Sequence, residues 1–421
     1  FFPSVSAAWR ISEENFWQPL KGWWNDMKIR GSYGSLGNQV MDDLGNFPYL
    51  ATYGTNSSYN YLINGSKPVI VKAPGLVAPD FTWETVTQMD FGFDASFLNN
   101  RLTGTFDWYR RNTKDMLVAG ATLPATLGAS VPKSNSADMK TIGWELSLGW
   151  NDRLENGFSY WVKGVLSDYQ ATITKYAGND AGFYSQSDGD GKYYVGQKIG
   201  EIWGYHSNGL FQSDDEAATI DQSELYAGKW GAGDVKYEDL GNDGKITKGE
   251  ETIYNPGDKS IIGNKTPRYQ FGITVGFDYK NFDFEMFWQG TGKRDYMLSG
   301  AQFWGFTSQW DVPYTPALDY WTETNTDAYF PRPGWQNGGN RVTSDRYLQS
   351  AAYGRLKNLT VGYTIPKNLT TKWGISRLRL YVTGENLLTI TPLNDAFDPE
   401  TLGGMTYPIN RKVAIGLNLT L

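Results

Sequence analysis

The chain has 421 residues, a formal charge of −7, no cysteine and a single histidine. These exclude disulfides, thiolate metal centres and multi-histidine zinc sites, and they leave no basic footprint for nucleic acid. Only 40% of the residues are hydrophobic while 15% are aromatic, among them 17 Trp and 27 Tyr, a balance that suits displayed amphipathic rings better than a Leu/Val core.

No run approaches the ~18 apolar residues of a spanning helix. The chain opens at Phe1-Phe2-Pro3 without initiator Met or signal peptide, so it is expected to be the C-terminal part of a longer precursor. Along it, apolar and polar residues alternate with period two, the mark of a strand whose two faces meet different surroundings. Strands are predicted at 2–11, 25–38, 84–98 and 101–116, the last two joined at Asn99-Asn100, a favoured two-residue hairpin link. Further strands follow at 139–151, 157–171, 267–279 and 282–292, and the set ends with 349–365, 376–390 and 409–421. In the last, Val413, Ile415, Leu417, Leu419 and Leu421 oppose Lys412, Ala414, Gly416, Asn418 and Thr420. Glu145, Asp278, Asp283, Glu285, Arg377 and Arg379 all fall on polar faces.

Short links at 12–24, 99–100, 152–156, 280–281 and 366–375 alternate with long segments at 39–83, 117–138, 172–266, 293–348 and 391–408. That rhythm is expected of an outer-membrane barrel with short periplasmic turns and long external loops, its outer face in lipid and its inner face polar. Eleven strands make an odd, open set, whose unpaired edges a bilayer does not tolerate. The predicted fold is therefore all-β, the C-terminal portion of one transmembrane antiparallel barrel domain spanning 1–421. The rest of the wall must come from upstream polypeptide or an associated chain.

Several stretches carry a resemblance: Phe2-Pro3-Ser4-Val5-Ser6-Ala7-Ala8-Trp9, Ile29-Arg30-Gly31-Ser32-Tyr33-Gly34-Ser35-Leu36-Gly37-Asn38, Phe97-Leu98-Asn99-Asn100-Arg101-Leu102, Leu356-Lys357-Asn358-Leu359-Thr360 and Gly384-Glu385-Asn386-Leu387-Leu388-Thr389. In these the chain resembles the SusC-like TonB-dependent transporters of Bacteroidetes-type outer membranes. The resemblance implies a barrel of about 22 strands with an N-terminal plug, a TonB-box segment pulled by TonB from the periplasm, and a SusD-like surface lipoprotein over the external mouth. The terminal Leu421 departs from the commoner aromatic.

Two constellations lie in the long loops. Within the 172–266 insertion, the segment 239–250 resembles a twelve-residue EF-hand loop: Asp239 at position 1, Asp243 at 5, Gly244 at the sharp turn, the Lys245 backbone carbonyl at 7 and Glu250 at 12. Such spacing brings hard oxygens around a Ca2+ ion, although position 3 is Gly241, where a ligand is expected. An ion there would be a structural staple; a plain acidic turn is the alternative. The second constellation is aromatic: Tyr49, Tyr53, Trp304, Trp310, Tyr314, Tyr320, Trp321 and Trp335. Such rings stack on sugar or peptide groups, contact a capping partner, or pack as loop core. His206 could act as a base, but no nucleophile motif accompanies it, and a surface-loop role is expected instead.

The resemblance implies import of a nutrient, an oligosaccharide in the first instance, without covalent chemistry. Oligopeptide import is the alternative, followed by a glycan-binding adhesion protein and a hydrolase using paired carboxylates.

Overall fold

The computed structural model describes all residues except 39–46, 48, 57–61, 64, 68, 72–73, 80, 120–123, 125, 127–130, 185–191 and 403–406. Its main element is an eleven-stranded antiparallel sheet in which every strand pairs with its neighbours in sequence. We number the strands β1 (Ser4–Arg10), β2 (Trp24–Asn38), β3 (Glu84–Phe97), β4 (Leu102–Ala119), β5 (Lys133–Arg153) and β6 (Ser159–Tyr176). They continue as β7 (Arg268–Tyr279), β8 (Phe282–Lys293), β9 (Tyr353–Thr364), β10 (Arg377–Ile390) and β11 (Lys412–Thr420). All eleven expected strands are present, in the expected order. Within this sheet β1 and β11 each have one neighbour.

Cross-strand register keeps like with like. One row runs Tyr160, Phe277, Phe284, Val361, Val382 and Ile415; the adjacent row runs Trp161, Gly276, Glu285, Thr360, Thr383 and Ala414. Directly opposed residues share a face, so the first row is apolar and the second carries the polar side. On β11, Ile415 is 84% exposed and Val413 70%, an apolar display that suits a lipid boundary. No described helix is long and apolar enough to cross a membrane.

A hairpin forms at the expected place, but its link is four residues, 98–101, rather than two: Phe97 pairs with Leu102, Leu98, Asn99 and Asn100 all have positive φ, and Arg101 N donates to Leu98 O at 3.3 Å. β4, β5 and β6 run further outward than their alternation suggests. Their outer ends carry the polar run Ser134-Asn135-Ser136, register shifts near Thr113–Met116 and Asp138, and a left-handed Asp115. These breaks hide the extension from any period-two pattern. Ala137, Ile173 and Tyr176 pack there with Met116, Val118 and Met139, and Asn135 Nδ2 donates to Thr82 O at 2.9 Å.

The largest buried core lies outside the sheet. The loops following β6, β8 and β10 interleave, and their residues Tyr205, Val235, Tyr237, Ile246, Phe303, Phe330, Tyr347, Leu393 and Phe397 form one cluster. Phe303, Val235 and Tyr347 are fully buried. Short ladders brace the cluster: Glu201–Tyr205 with Lys259–Asn264, Ser207–Leu210 with Val235–Tyr237, and Asp295–Met297 with Leu348–Ser350.

Candidate functional site

Two surfaces can handle a solute: the polar face of the sheet and the loop body at its outer end. On the polar face, Arg30 of β2 reaches across β3 to β4. Its Nε donates to Asp94 Oδ2 at 3.2 Å and its Nη2 to Asp107 Oδ2 at 2.8 Å. Gly92 makes this crossing possible, because a Cβ there would collide with Asp107 Oδ1 and meet Arg30 Cζ at 2.8 Å. Gly362 plays the same part beneath Asp283 and Arg379, whose Nε donates to Asp283 Oδ1 at 2.9 Å. Charged groups so paired lie along the wall and present fixed, alternating charge to whatever lies within. The pairings across strands were missed from sequence, although a glycine inside a column of charges on one face is a usable signal.

At the outer rim the last long loop is tied to the wall. Arg355 of β9 is 2% exposed; its Nη2 donates to Asp398 Oδ2 at 2.6 Å and its Nε to Thr389 Oγ1 at 2.9 Å. Its Nη1 stands 3.1 Å from Glu400 Oε2, out of hydrogen-bonding alignment. Glu400 is also met by Lys357 Nζ at 2.9 Å. A buried guanidinium needs such partners, since an unpaired buried charge is strongly unfavourable.

The loop aromatics divide. Tyr49, Tyr53, Trp310, Tyr314 and Trp335 are exposed, Trp310 to 83%. Trp304, by contrast, is 8% exposed and stands edge-on to Tyr347 at 4.6 Å between ring centroids. Trp321 and Tyr320 pack on the same core, with the Trp321 ring closing over Gly233. Trp304 and Trp321 thus serve the loop core, while Tyr49, Tyr53, Trp310, Tyr314 and Trp335 keep exposed faces. The side chains share one composition, and only their tertiary surroundings separate them.

In the EF-hand-like segment, Asp239 Oδ2 accepts from Gly244 N at 2.7 Å and Asp243 Oδ1 from Lys245 N at 2.9 Å. Gly244 has a φ of 82° and Ile246 is buried in the loop core, as the motif expects. Glu250 departs from it: it is exposed and does not close the loop. Asp258 does so instead, Oδ1 accepting from Leu240 N at 2.8 Å and Gly241 N at 3.1 Å, Oδ2 from Thr247 N at 2.7 Å. Asp239 Oδ1 is buried without a partner. Among the described residues no three carboxylate or imidazole groups gather closely enough to hold a metal. The donor types fit Ca2+; their placement does not yet enclose it.

His206 is better connected than a plain surface histidine. Its Nδ1 lies 2.7 Å from Asp345 Oδ2 and its Nε2 2.7 Å from Ser260 Oγ, while Ser207 N donates to Asp345 Oδ1 at 3.0 Å. The imidazole therefore joins three separate loop segments. Its partners lie 54 and 139 residues away in sequence, beyond reach of any local motif.

The family model described as "TonB dependent receptor-like, beta-barrel" matches residues 1–387. The chain belongs to this family. It is 28% identical over 440 residues to TonB-dependent receptor P26 of Formosa agariphila, covering all of this chain and 42% of that protein. It is 27% identical over 425 residues to TonB-dependent receptor SusC of Bacteroides thetaiotaomicron, covering 99% of this chain and 40% of SusC. The fold matches the solved structure titled "Structure of the RagAB peptide transporter" with a TM-score of 0.77 and 22% identity, covering 99% of this chain and 43% of that one. The chain thus spans about 42% of the length of the curated relatives it matches. As a TonB-dependent receptor-like barrel it lies in the outer membrane, and the exposed apolar rows of its sheet suit a lipid boundary.

Proposed function

We propose that this chain forms part of an importer that carries a bulky nutrient, an oligosaccharide, across the outer membrane under TonB control. The observation that carries this reading is one sheet with an apolar row outward and a charge-paired row inward, topped by a packed loop body. Exposed Tyr49, Tyr53, Trp310, Tyr314 and Trp335 offer capture surfaces for substrate or for a SusD-like lipoprotein lid. Upstream polypeptide or an associated chain would supply the remaining wall and the plug on which TonB pulls. No residue is assigned covalent chemistry. The test is uptake of labelled oligosaccharides by cells with and without the full-length gene, and again without TonB. Accumulation that requires both supports the reading; binding without accumulation indicates an adhesion protein. The solved structure titled a peptide transporter makes peptide import the second reading, and labelled oligopeptides in the same assay decide between them.

Calcium at 239–250 is a separable proposal, supported by the buried, partnerless Asp239 Oδ1. Binding would draw Asp243 and the Lys245 carbonyl toward that oxygen. Asp239→Asn should lose metal and loop protease resistance, while Glu250→Gln should change neither. Equal metal content in wild type and Asp239→Asn would overturn it.

A further inference from the structure

Between the loop after β8 and the loop after β10 lies a cleft of about 480 Å³, lined in part by Gln302, Tyr314, Asp395, Phe397, Asp398 and Thr401. That volume falls within the range of small-ligand sites, ~300–1,000 Å³. We propose that this cleft is a subsite for a neutral saccharide unit, a reading that rests on the import function above and names the substrate class at one place.

The argument is one of donors and acceptors. Gln302 Nε2 donates to Ala396 O at 3.0 Å, which fixes the amide and leaves Oε1 buried with no donor. An unsatisfied buried acceptor favours a ligand that brings an O–H or N–H. Asp395 adds a carboxylate that also accepts, and Asp398 is already held by Arg355. Among the described residues lining the cleft there is no Lys or Arg. The described wall therefore demands donors and offers no positive counter-charge, which disfavours uronates, sulfated sugars and peptide carboxylates. Tyr314, 45% exposed, supplies an aromatic face, and Phe397 at 9% an apolar floor. Hydroxyl groups around an apolar ring face answer both demands at once, which a flexible amine chain does not.

The experiment uses the full-length protein purified in detergent, presented with an array of neutral and acidic oligosaccharides and a lysine-bearing hexapeptide. Binding is expected to be confined to neutral saccharides. Tyr314→Ala should weaken it at least tenfold. Asp395→Asn, which keeps an acceptor oxygen, should weaken it less than threefold, and Trp373→Ala in the link between β9 and β10 should leave it unchanged. Circular dichroism and loop protease resistance confirm that each variant is folded. Binding only of acidic sugars, binding only of the peptide with loss in Asp395→Asn, or neutral binding indifferent to Tyr314→Ala would each overturn the proposal. Cellular uptake separates the two levels. Uptake that persists in Tyr314→Ala leaves the importer standing and removes the subsite, whereas saccharide that binds through Tyr314 but never enters cells removes the importer and keeps the subsite.

Discussion

The sheet and the loop body hold themselves together in opposite ways. In the sheet, apolar side chains such as Ile415 and Val382 point away from the protein, and order comes from the hydrogen-bonded ladder with lipid as the outer solvent. In the loop body, Phe303, Tyr347 and Phe330 point inward and exclude water, as in any soluble domain. One polypeptide thus crosses from one stabilising regime to the other at the membrane rim, and the same residue type has opposite meaning on either side. A surface leucine is correct in the wall and a defect in the body.

Mutations can break or sharpen that contrast. The largest effect is expected for Phe303→Ala, a cavity at the centre of the body, costing ~3–5 kcal/mol. Proteolysis of the purified full-length protein should then cut the loops while the strand signal in circular dichroism is retained. Val382→Arg tests the other regime, because a cation on the lipid face near mid-membrane costs ~2–4 kcal/mol; folding into bilayers should suffer and loop protection in the folded fraction should not. Gly92→Val drives a side chain into the Arg30–Asp107 pair, at ~1–3 kcal/mol by overpacking, measured by denaturant unfolding in detergent. His206→Ala removes the hub that joins Asp345 and Ser260, at ~1–2 kcal/mol, and hydrogen exchange should rise around 260 and 345 without change in the strands. Trp310→Ala should move stability by less than ~0.5 kcal/mol, since its ring is exposed, so that any loss of substrate capture reports contact alone.

The same contrast explains what could be read from the residues themselves. Every wall strand was legible because a lipid face and a polar face force strict alternation, as in β11. The body had no such periodicity. Phe303 beside Trp304, Phe330 beside Tyr329 and Tyr347 beside Leu348 follow no repeat and meet one another only through long-range packing, so nothing distinguishes buried Trp304 from exposed Trp310 in the string of letters. The EF-hand-like spacing signalled the sharp turn at Gly244, where φ is 82°. It assigned closure to Glu250, whereas Asp258 does that work from eight residues further on, where no local register reaches. The outward extension of β4, β5 and β6 was hidden for a related reason, since register shifts and Asn135 interrupt the pattern at the point where lipid gives way to water.

The core of the loop body takes residues from three loops, the last of which, with Leu393, Phe397 and Leu402, lies near the end of the chain. Such a body cannot mature loop by loop as the polypeptide emerges. Its hydrophobic centre closes only after β10 and β11 have brought the final segment back to the rim, and until then Phe303 and its neighbours stay wet and adhesive. Sealing of the external cap therefore waits on β10 and β11, and a chain stalled before β10 would carry an exposed aromatic surface, a ready signal for proteolytic removal.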